Sequence, residues 1–243
     1  MRFALNHIIS PRQPLADFFA MARTLGCTEV EIRNDLQGAP IQDGTPAGTV
    51  RALAEAAGVT ILSINALYPF NLWSDELAAK AEALADYAAA SGARALVMCP
   101  LNEDRPVPRE SLVEALARIR PILAARGLTG LVEPLGFPRS SLRTKAEAIS
   151  AIREAGGEDT YKLVHDTFHH HLAGELEFYP DWTGLVHISG VTDPALTPDT
   201  MEDAHRVLVD ADDRLGNRDQ IRTLLARGYQ GPFSFEPFAP EIQ

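Results

Sequence analysis

Residues 60–99 read TILSINALYPFNLWSDELAAKAEALADYAAASGARALVMC, and this stretch contains one complete strand–helix–strand unit. Residues 60–67 form a short, mostly apolar run that predicts a strand. Residues 74–90 repeat alanine and leucine at helical spacing, and Gly92 follows as a typical helix stop. Residues 93–99 predict a second strand. Because a helix connects the two strands, we expect the strands to lie parallel.

The same unit recurs along the whole chain. Short apolar runs that predict strands occupy residues 2–9, 29–33, 60–67, 93–99, 130–135, 162–166, 184–189 and 232–238. Longer amphipathic stretches, such as residues 14–25, lie between them. Eight such units in 243 residues match the size of a (β/α)8 TIM barrel. We therefore predict an α/β fold in which residues 1–243 form a single TIM-barrel domain.

A doubly wound open sheet is the alternative architecture. Its GxGxxG fingerprint follows none of the predicted strands, and the phosphate-binding GxxxxGK[ST] loop is also absent from the sequence. The barrel is therefore favoured. Residues 190–231, before the last strand, are expected to form an extended loop over one face of the barrel and then a helix near residues 219–227.

Composition excludes several classes of protein. With 46% hydrophobic and 23% charged residues, the chain is neither disordered nor a small disulfide scaffold. Cys27 and Cys99 lie far apart without a CxxC motif, which is typical of a reducing compartment. The net charge of −11 argues against nucleic acid as a partner. No apolar stretch approaches the roughly 18 to 20 residues of a membrane span, so we expect a cytoplasmic protein without a membrane partner.

Ionisable residues stand late in four consecutive predicted strands. They are Glu133, Asp166, His187 and Glu236, in strands five, six, seven and eight. The carboxyl ends of parallel barrel strands converge on one rim, where the sites of such barrels are built. We therefore expect these four side chains to meet.

Three buried carboxylates in one place repel one another and take up protons unless a cation is present. Three carboxylate oxygens and one imidazole nitrogen suit a divalent metal: Mn²⁺, Zn²⁺, Mg²⁺ or Co²⁺. The sequence thus predicts a metal site. The alternative is four separate polar residues, each satisfied at its own strand end.

His169 is a candidate for binding a substrate hydroxyl. It follows Asp166 by three positions, within the tract of three histidines at residues 169–171. If this segment is extended, neighbouring side chains point to opposite faces, so that only His169 and His171 share a direction. His165 alternates away from Asp166 and is interpreted as structural. The alternative for His169 is a solvated loop histidine.

The first half of the chain supplies further candidates at strand ends. Asn6 closes the first strand, and it is expected either to line the pocket or to make a core hydrogen bond. Glu31 and Arg33 share one face of the second strand, and Glu31 is expected to form a structural ion pair with Arg33. Arg33 and Asn65 are expected to supply hydrogen-bond donors to a polyhydroxylated substrate.

At these residues the chain resembles the xylose isomerase-like TIM-barrel superfamily, whose divalent-metal sugar isomerases and epimerases carry Glu, Asp, His and Glu ligands on the late strands in this order. Within it, the chain is most similar to the 2-keto-myo-inositol isomerase (inosose isomerase) family of inositol catabolism. The segments that carry this similarity are residues 4–6, 29–33, 63–67 with Phe70 and Asn71, Val132 and Glu133 followed by 136–138, 166–169, and 234–238 with Pro240 and Glu241.

The resemblance implies interconversion of keto-inositols by proton transfer beside a ketone, through a metal-bound enediolate. Glu133 and Glu236 are then expected to remove and return the proton. Three alternatives stay open: a ketose 3-epimerase, a lyase that eliminates water from an inosose or a group from a 3-keto sugar, and a non-catalytic polyol-binding protein. A DNA-repair endonuclease is disfavoured by the acidic charge.

The chain departs from the family pattern in three places. Ketose 3-epimerases usually carry an acidic residue about six positions after the first ligand, where this chain has Arg139. The family's substrate-facing arginine corresponds to Arg206 or Arg214, and Arg206 is preferred. The usual last helix is expected to be missing, which leaves either an open groove or an interface in a homodimer.

Overall fold

The computed structural model describes residues 1–36 and 38–243. Its eight strands are β1 (Arg2–Asn6), β2 (Glu29–Arg33), β3 (Thr60–Leu67), β4 (Ala95–Met98), β5 (Thr129–Val132), β6 (Tyr161–Asp166), β7 (Thr183–Ile188) and β8 (Pro232–Phe235). They pair in parallel in chain order, and β8 pairs with β1, so the barrel closes within one chain. The predicted TIM barrel is confirmed, and the open-sheet alternative is wrong.

Helices connect the strands on the outside. They are α1 (Leu15–Thr24), α2 (Pro40–Asp43), α3 (Ala47–Ala57), α4 (Asp75–Ser91), α5 (Arg109–Ala124), α6 (Lys145–Glu154), α7 (Thr167–Ala173) and α8 (Asn217–Ala226), with 3-10 turns at His7–Ile9 and Asp203–His205. Within residues 1–36 and 38–243, no helix follows β8, and no helix is both long and apolar enough to cross a membrane.

The boundaries of α4 follow from its sequence. Ser74 is the N-cap residue, and its hydroxyl accepts a hydrogen bond from the backbone N–H of Leu77 at 3.1 Å. Gly92 ends the helix with a φ of +83°, a left-handed conformation that glycine adopts without strain. The helix predicted at residues 74–90 is therefore confirmed to within one residue at each end.

The strand pleat divides the barrel interior into an apolar lower half and a polar upper half. Leu131, Val164 and Leu185 pack together inside the barrel. Successive inward-facing residues are two positions apart, so the next inward positions on these strands lie closer to the carboxyl rim. Those positions are Glu133, Asp166 and His187. The polar centre therefore lies directly above an apolar floor.

Candidate metal centre

Four ionisable side chains meet at the upper end of the barrel. Glu133, Asp166, His187 and Glu236 each offer one donor atom, and these atoms all lie within 4.8 Å of one another. Their residues are between 0% and 4% exposed. The structure therefore brings together the four residues predicted to meet, in surroundings from which bulk water is largely excluded.

His187 stands in the middle of the cluster. Its Nδ1 lies 3.0 Å from Oε1 of Glu133, 3.0 Å from Oε2 of Glu236 and 3.8 Å from Oδ2 of Asp166. Its Nε2 lies 3.1 Å from Oε1 of Glu31. Burial alone would lower the pKa of His187, but the negative charges of Glu236, Glu31 and Glu133 raise that pKa well above its usual value. Because the three carboxylates of the cluster face Nδ1, this is the nitrogen directed at the candidate metal position.

Two buried guanidiniums flank the carboxylates. Nη1 of Arg33 donates to Oε1 of Glu236 at 2.9 Å. Nη2 of Arg206 donates to Oδ2 of Asp166 at 2.6 Å and to Oε2 of Glu236 at 3.0 Å. Burial would raise the pKa of Glu236, but attraction by His187, Arg206 and Arg33 lowers it well below its usual value. Glu236 is therefore ionised.

The sum of buried charge fits a divalent cation. Four carboxylates lie in this centre, and they belong to Glu31, Glu133, Asp166 and Glu236. The guanidiniums of Arg33 and Arg206 offset two of these charges, which leaves two negative charges once His187 has lost its proton, as a histidine that binds a metal must. Asp35 and Asp203 pair with the same arginines, but their side chains are 53% and 44% exposed, so solvent screens them. The oxygen and nitrogen donors suit Mn²⁺, Zn²⁺, Mg²⁺ or Co²⁺.

The expected ion pair between Glu31 and Arg33 is wrong. Arg33 pairs with Asp35 and Glu236 instead. Glu31 is fully buried and faces His187 across the barrel, while Ser63 and Asn65 donate hydrogen bonds to it at 2.6 and 2.9 Å. The physical reason is that inward-facing residues at one level of a closed barrel meet across its interior. A carboxylate on the second imidazole nitrogen orients the ring and raises its basicity.

The two asparagines predicted to bind substrate also contact carboxylates. The amide of Asn6 donates to Oε1 of Glu236 at 3.1 Å and to Oε1 of Glu31 at 3.3 Å. The amide of Asn65 donates to Oε2 of Glu31 at 2.9 Å. In this structure both asparagines therefore hold the acidic residues of the centre in place.

The structure places Arg206, and not Arg214, in the centre. Arg206 is 1% exposed, and its ring neighbours Phe168 and Phe238 lie 5.1 and 4.7 Å from the guanidinium. Arg214 instead donates to the backbone carbonyl oxygens of Asp193 and Leu196 in the loop between β7 and α8. The preference for Arg206 therefore agrees with its position.

The histidine tract is helical, so its expected extended conformation is wrong. Asp166 is the N-cap of α7, and its Oδ1 accepts hydrogen bonds from the backbone N–H groups of Phe168 and His169. Its Oδ2 faces the centre. One carboxylate thus starts the helix and belongs to the cluster, and the helix carries His169 beside the rim. His165 is structural as interpreted, since its Nε2 pairs with Oε1 of Gln220 at 2.9 Å.

Cys99 is a residue of the centre that was not predicted. It follows β4, and its Sγ donates to Oε2 of Glu133 at 3.4 Å. Burial, together with the negative charge of Glu133, raises the pKa of the thiol well above its usual value, so it stays protonated. Its place after the fourth strand was the available signal, because every strand end reaches the same rim.

Gly136 allows the loop between β5 and α6 to pack against α7. A Cβ atom at this position would lie 2.2 Å from the carbonyl oxygen of His169 and 2.8 Å from Cβ of Leu172. The Gly136→Ala variant is therefore expected to displace α7 and to lose about 1 to 3 kcal/mol of unfolding free energy in urea denaturation. Gly48→Ala is the matched control, since a Cβ at Gly48 in α3 meets nothing within 4 Å. Equal stability of the two variants would contradict this packing.

Glu31→Gln is expected to weaken metal binding about 10- to 100-fold, because His187 loses the charged partner of its Nε2. Isothermal titration with Mn²⁺ and with Zn²⁺ measures the affinity. Glu29→Gln is the matched control, because Glu29 lies two residues earlier on β2 and pairs with Arg2 at the opposite end of the barrel. If both variants bind metal as the unmodified protein does, the role of Glu31 is refuted.

Known structures share this architecture. A xylose isomerase domain-containing protein from Salmonella typhimurium LT2 is 41% identical, with a TM-score of 0.94 over 99% of this chain and 90% of its own. The IolI protein with bound zinc is 19% identical, with a TM-score of 0.86 over 100% of this chain and 91% of its own. D-allulose 3-epimerase from Methylomonas sp., in complex with D-allulose, is also 19% identical, with a TM-score of 0.75 over 99% of this chain and 85% of its own.

At 19% identity, the last two similarities show the fold alone. None of the curated protein sequences matches the chain. The family described as the xylose isomerase-like TIM barrel matches residues 19–243, which is most of the chain. With the similarity at 41% identity and the closed parallel barrel, this match shows that the chain belongs to the xylose isomerase-like TIM-barrel family.

Proposed function

We propose that the protein is a divalent-metal-dependent isomerase that interconverts keto-inositols by moving a proton beside the ketone. The observation that carries this proposal is the pair of buried glutamates, Glu133 and Glu236, each 3.0 Å from Nδ1 of His187. Two carboxylates beside one candidate metal position can remove a proton from one carbon and return it to a neighbouring carbon.

Residues Glu133, Asp166, His187 and Glu236 would hold the metal. A bound divalent cation supplies Lewis acidity, which polarises the ketone and makes the neighbouring C–H bond more acidic. Glu133 accepts a hydrogen bond from the thiol of Cys99 and faces Nδ1 of His187, and it is assigned to remove the proton. Glu236 accepts from two guanidiniums, which stabilise its charged form and help to lower its pKa, and it is assigned to return the proton.

His169 and Arg206 are the residues proposed to bind substrate oxygens. His169 lies on α7 beside the centre, and its ring meets the ring of Phe137 edge to face at 5.1 Å. Arg206 places its guanidinium against two of the carboxylates and has aromatic rings near its faces. Arg33, Asn6 and Asn65 act on the substrate through the carboxylates that they hold.

The charges of the centre favour an uncharged substrate. Arg33 and Arg206 are both paired with buried carboxylates. Among the described residues of this centre, these pairings leave no cation free to neutralise a phosphate or a carboxylate on the substrate. A neutral keto-cyclitol or ketose, with hydroxyl groups as donors and acceptors, agrees with this arrangement.

A ketose 3-epimerase is the second candidate, because the same two glutamates could return a proton to the opposite face of one carbon. The chain differs from such epimerases at Arg139, which stands where they usually carry an acidic residue. That difference favours the inosose substrate. A lyase would begin with the same proton removal and then form an enone that absorbs ultraviolet light.

Replacing either glutamate tests the proposal. Glu236→Gln and Glu133→Gln are expected to keep the fold and to lower turnover of inososes by about 10²- to 10⁴-fold, because each loses the group that carries a proton. Turnover and deuterium incorporation from D₂O are followed by NMR on a panel of inososes and ketoses, with metal content measured alongside. Glu241→Gln is the matched control, because it replaces a glutamate that is exposed.

Near-native turnover by Glu236→Gln on every substrate would contradict the role given to Glu236. Turnover confined to open-chain ketoses would identify the epimerase instead. An ultraviolet-absorbing product would identify the lyase. If the protein binds polyols, binds no metal and incorporates no deuterium into any substrate, it is a non-catalytic binding protein.

A further inference from the structure

The candidate metal centre is closed to a substrate in this structure. The nine residues predicted to bind the metal or the substrate are at most 7% exposed, and they are Asn6, Arg33, Asn65, Glu133, Asp166, His169, His187, Arg206 and Glu236. Side chains this deeply buried offer almost no surface to a ring with several hydroxyl groups. Part of the carboxyl rim of the barrel must therefore move to admit it.

An ion pair joins two loops of this rim. Arg139 lies in the loop between β5 and α6, and Glu202 lies in the loop between β7 and α8. Two guanidinium nitrogens of Arg139 donate to the two carboxylate oxygens of Glu202 at 2.7 and 2.5 Å. The side chains are 36% and 46% exposed. A paired but half-solvated contact of this kind forms and breaks at small cost, as a movable joint requires.

On one side, the ion pair leads to His169. The guanidinium of Arg139 stacks over the ring of Phe137 at 4.2 Å. That ring meets Phe168 at 5.7 Å and His169 at 5.1 Å, both edge to face. Phe137 therefore packs between Arg139 and α7, the helix that carries His169.

On the other side, the ion pair leads to Arg206. Glu202 is the N-cap residue of the 3-10 turn Asp203–His205, and its backbone N–H donates to Nδ1 of His205 at 2.9 Å. Arg206 follows this turn, donates to Asp203, and reaches Asp166 and Glu236 in the centre. Glu202 and Arg206 are therefore joined through this single turn.

We propose that Arg139 and Glu202 are positioning residues whose ion pair holds the two loops closed over the centre and opens to admit the substrate. The pair, called here the rim pair, keeps Phe137 against His169 and Arg206 against Asp166 and Glu236. The identity of the substrate that enters through the rim rests on the proposed function. The contacts that close the rim do not depend on it.

Cys99 provides a test that needs neither metal nor substrate. Its thiol lies against Glu133 and is only partly buried, so its rate of alkylation by N-ethylmaleimide in the unmodified protein is the baseline, and opening of the rim raises that rate. Arg139→Gln and Glu202→Gln are expected to raise that rate about fivefold, the effect of losing one exposed ion pair. The charge-reversed double variant, Arg139→Glu with Glu202→Arg, is expected to return the rate to within about twofold of the original, because it restores the pair.

Two controls separate opening of the rim from general loosening. Cys27, buried in the outer core, is the internal control, and its rate of alkylation should stay unchanged. Arg120→Gln is the matched control variant, because Arg120 forms a similar two-bonded pair with Asp159 before the amino end of β6. Unchanged alkylation of Cys99 in both single variants, or a double variant as fast as they are, would overturn the proposal.

Steady-state kinetics give a second readout. Both single variants are expected to raise KM about fivefold while kcat changes less than about twofold, since they disturb His169 and Arg206 but leave both glutamates in place. A fall in kcat with unchanged KM would overturn the positioning role. If no inosose is turned over by any variant while Cys99 responds as expected, the proposed function fails and the rim pair stands.

Discussion

Negative charge confined inside the barrel is the constraint on which the rest of the site depends. Four buried carboxylates, from Glu31, Glu133, Asp166 and Glu236, converge on one imidazole. An isolated buried carboxylate costs several kcal/mol, so such a group persists only where compensating charges are built around it. In this protein two guanidiniums offset part of the negative charge, and the charge that remains matches that of a divalent cation.

That constraint explains why so few polar side chains of the centre are free. Asn6 and Asn65 donate to carboxylates, the Cys99 thiol donates to Glu133, and Arg33 bridges the centre to Asp35 at its edge. Each contact lowers the cost of a buried charge and also fixes the direction of a carboxylate.

The barrel and the four-residue cluster could be predicted because both follow from periodicity. Strand–helix alternation specifies parallel strands, and a charged residue two positions after an inward apolar residue, as in Leu185 and His187, must point inward nearer the rim. Contacts across the barrel could not be predicted in this way. Glu31 faces a histidine 156 residues later, and its nearer neighbour Arg33 was the more plausible partner from sequence alone. The helical start at Asp166 was also missed, although an aspartate before a helix is a common signal.

Some residues of the site lie at strand ends and others lie in loops, and this difference explains which of them the sequence pattern can predict. Strand ends are fixed by the hydrogen-bond register of the barrel, so the positions of Asp166 and His187 vary little once the fold is specified. The loops carry Arg139 and Glu202, which we propose control access to the centre, and no periodicity relates one loop to another. The residues of the candidate metal centre can therefore be predicted from the strands, whereas contacts between loops form only in the folded chain. Arg139 illustrates such a contact between loops. In the sequence it stands where ketose 3-epimerases usually carry an acidic residue, and in the structure it forms an ion pair with Glu202.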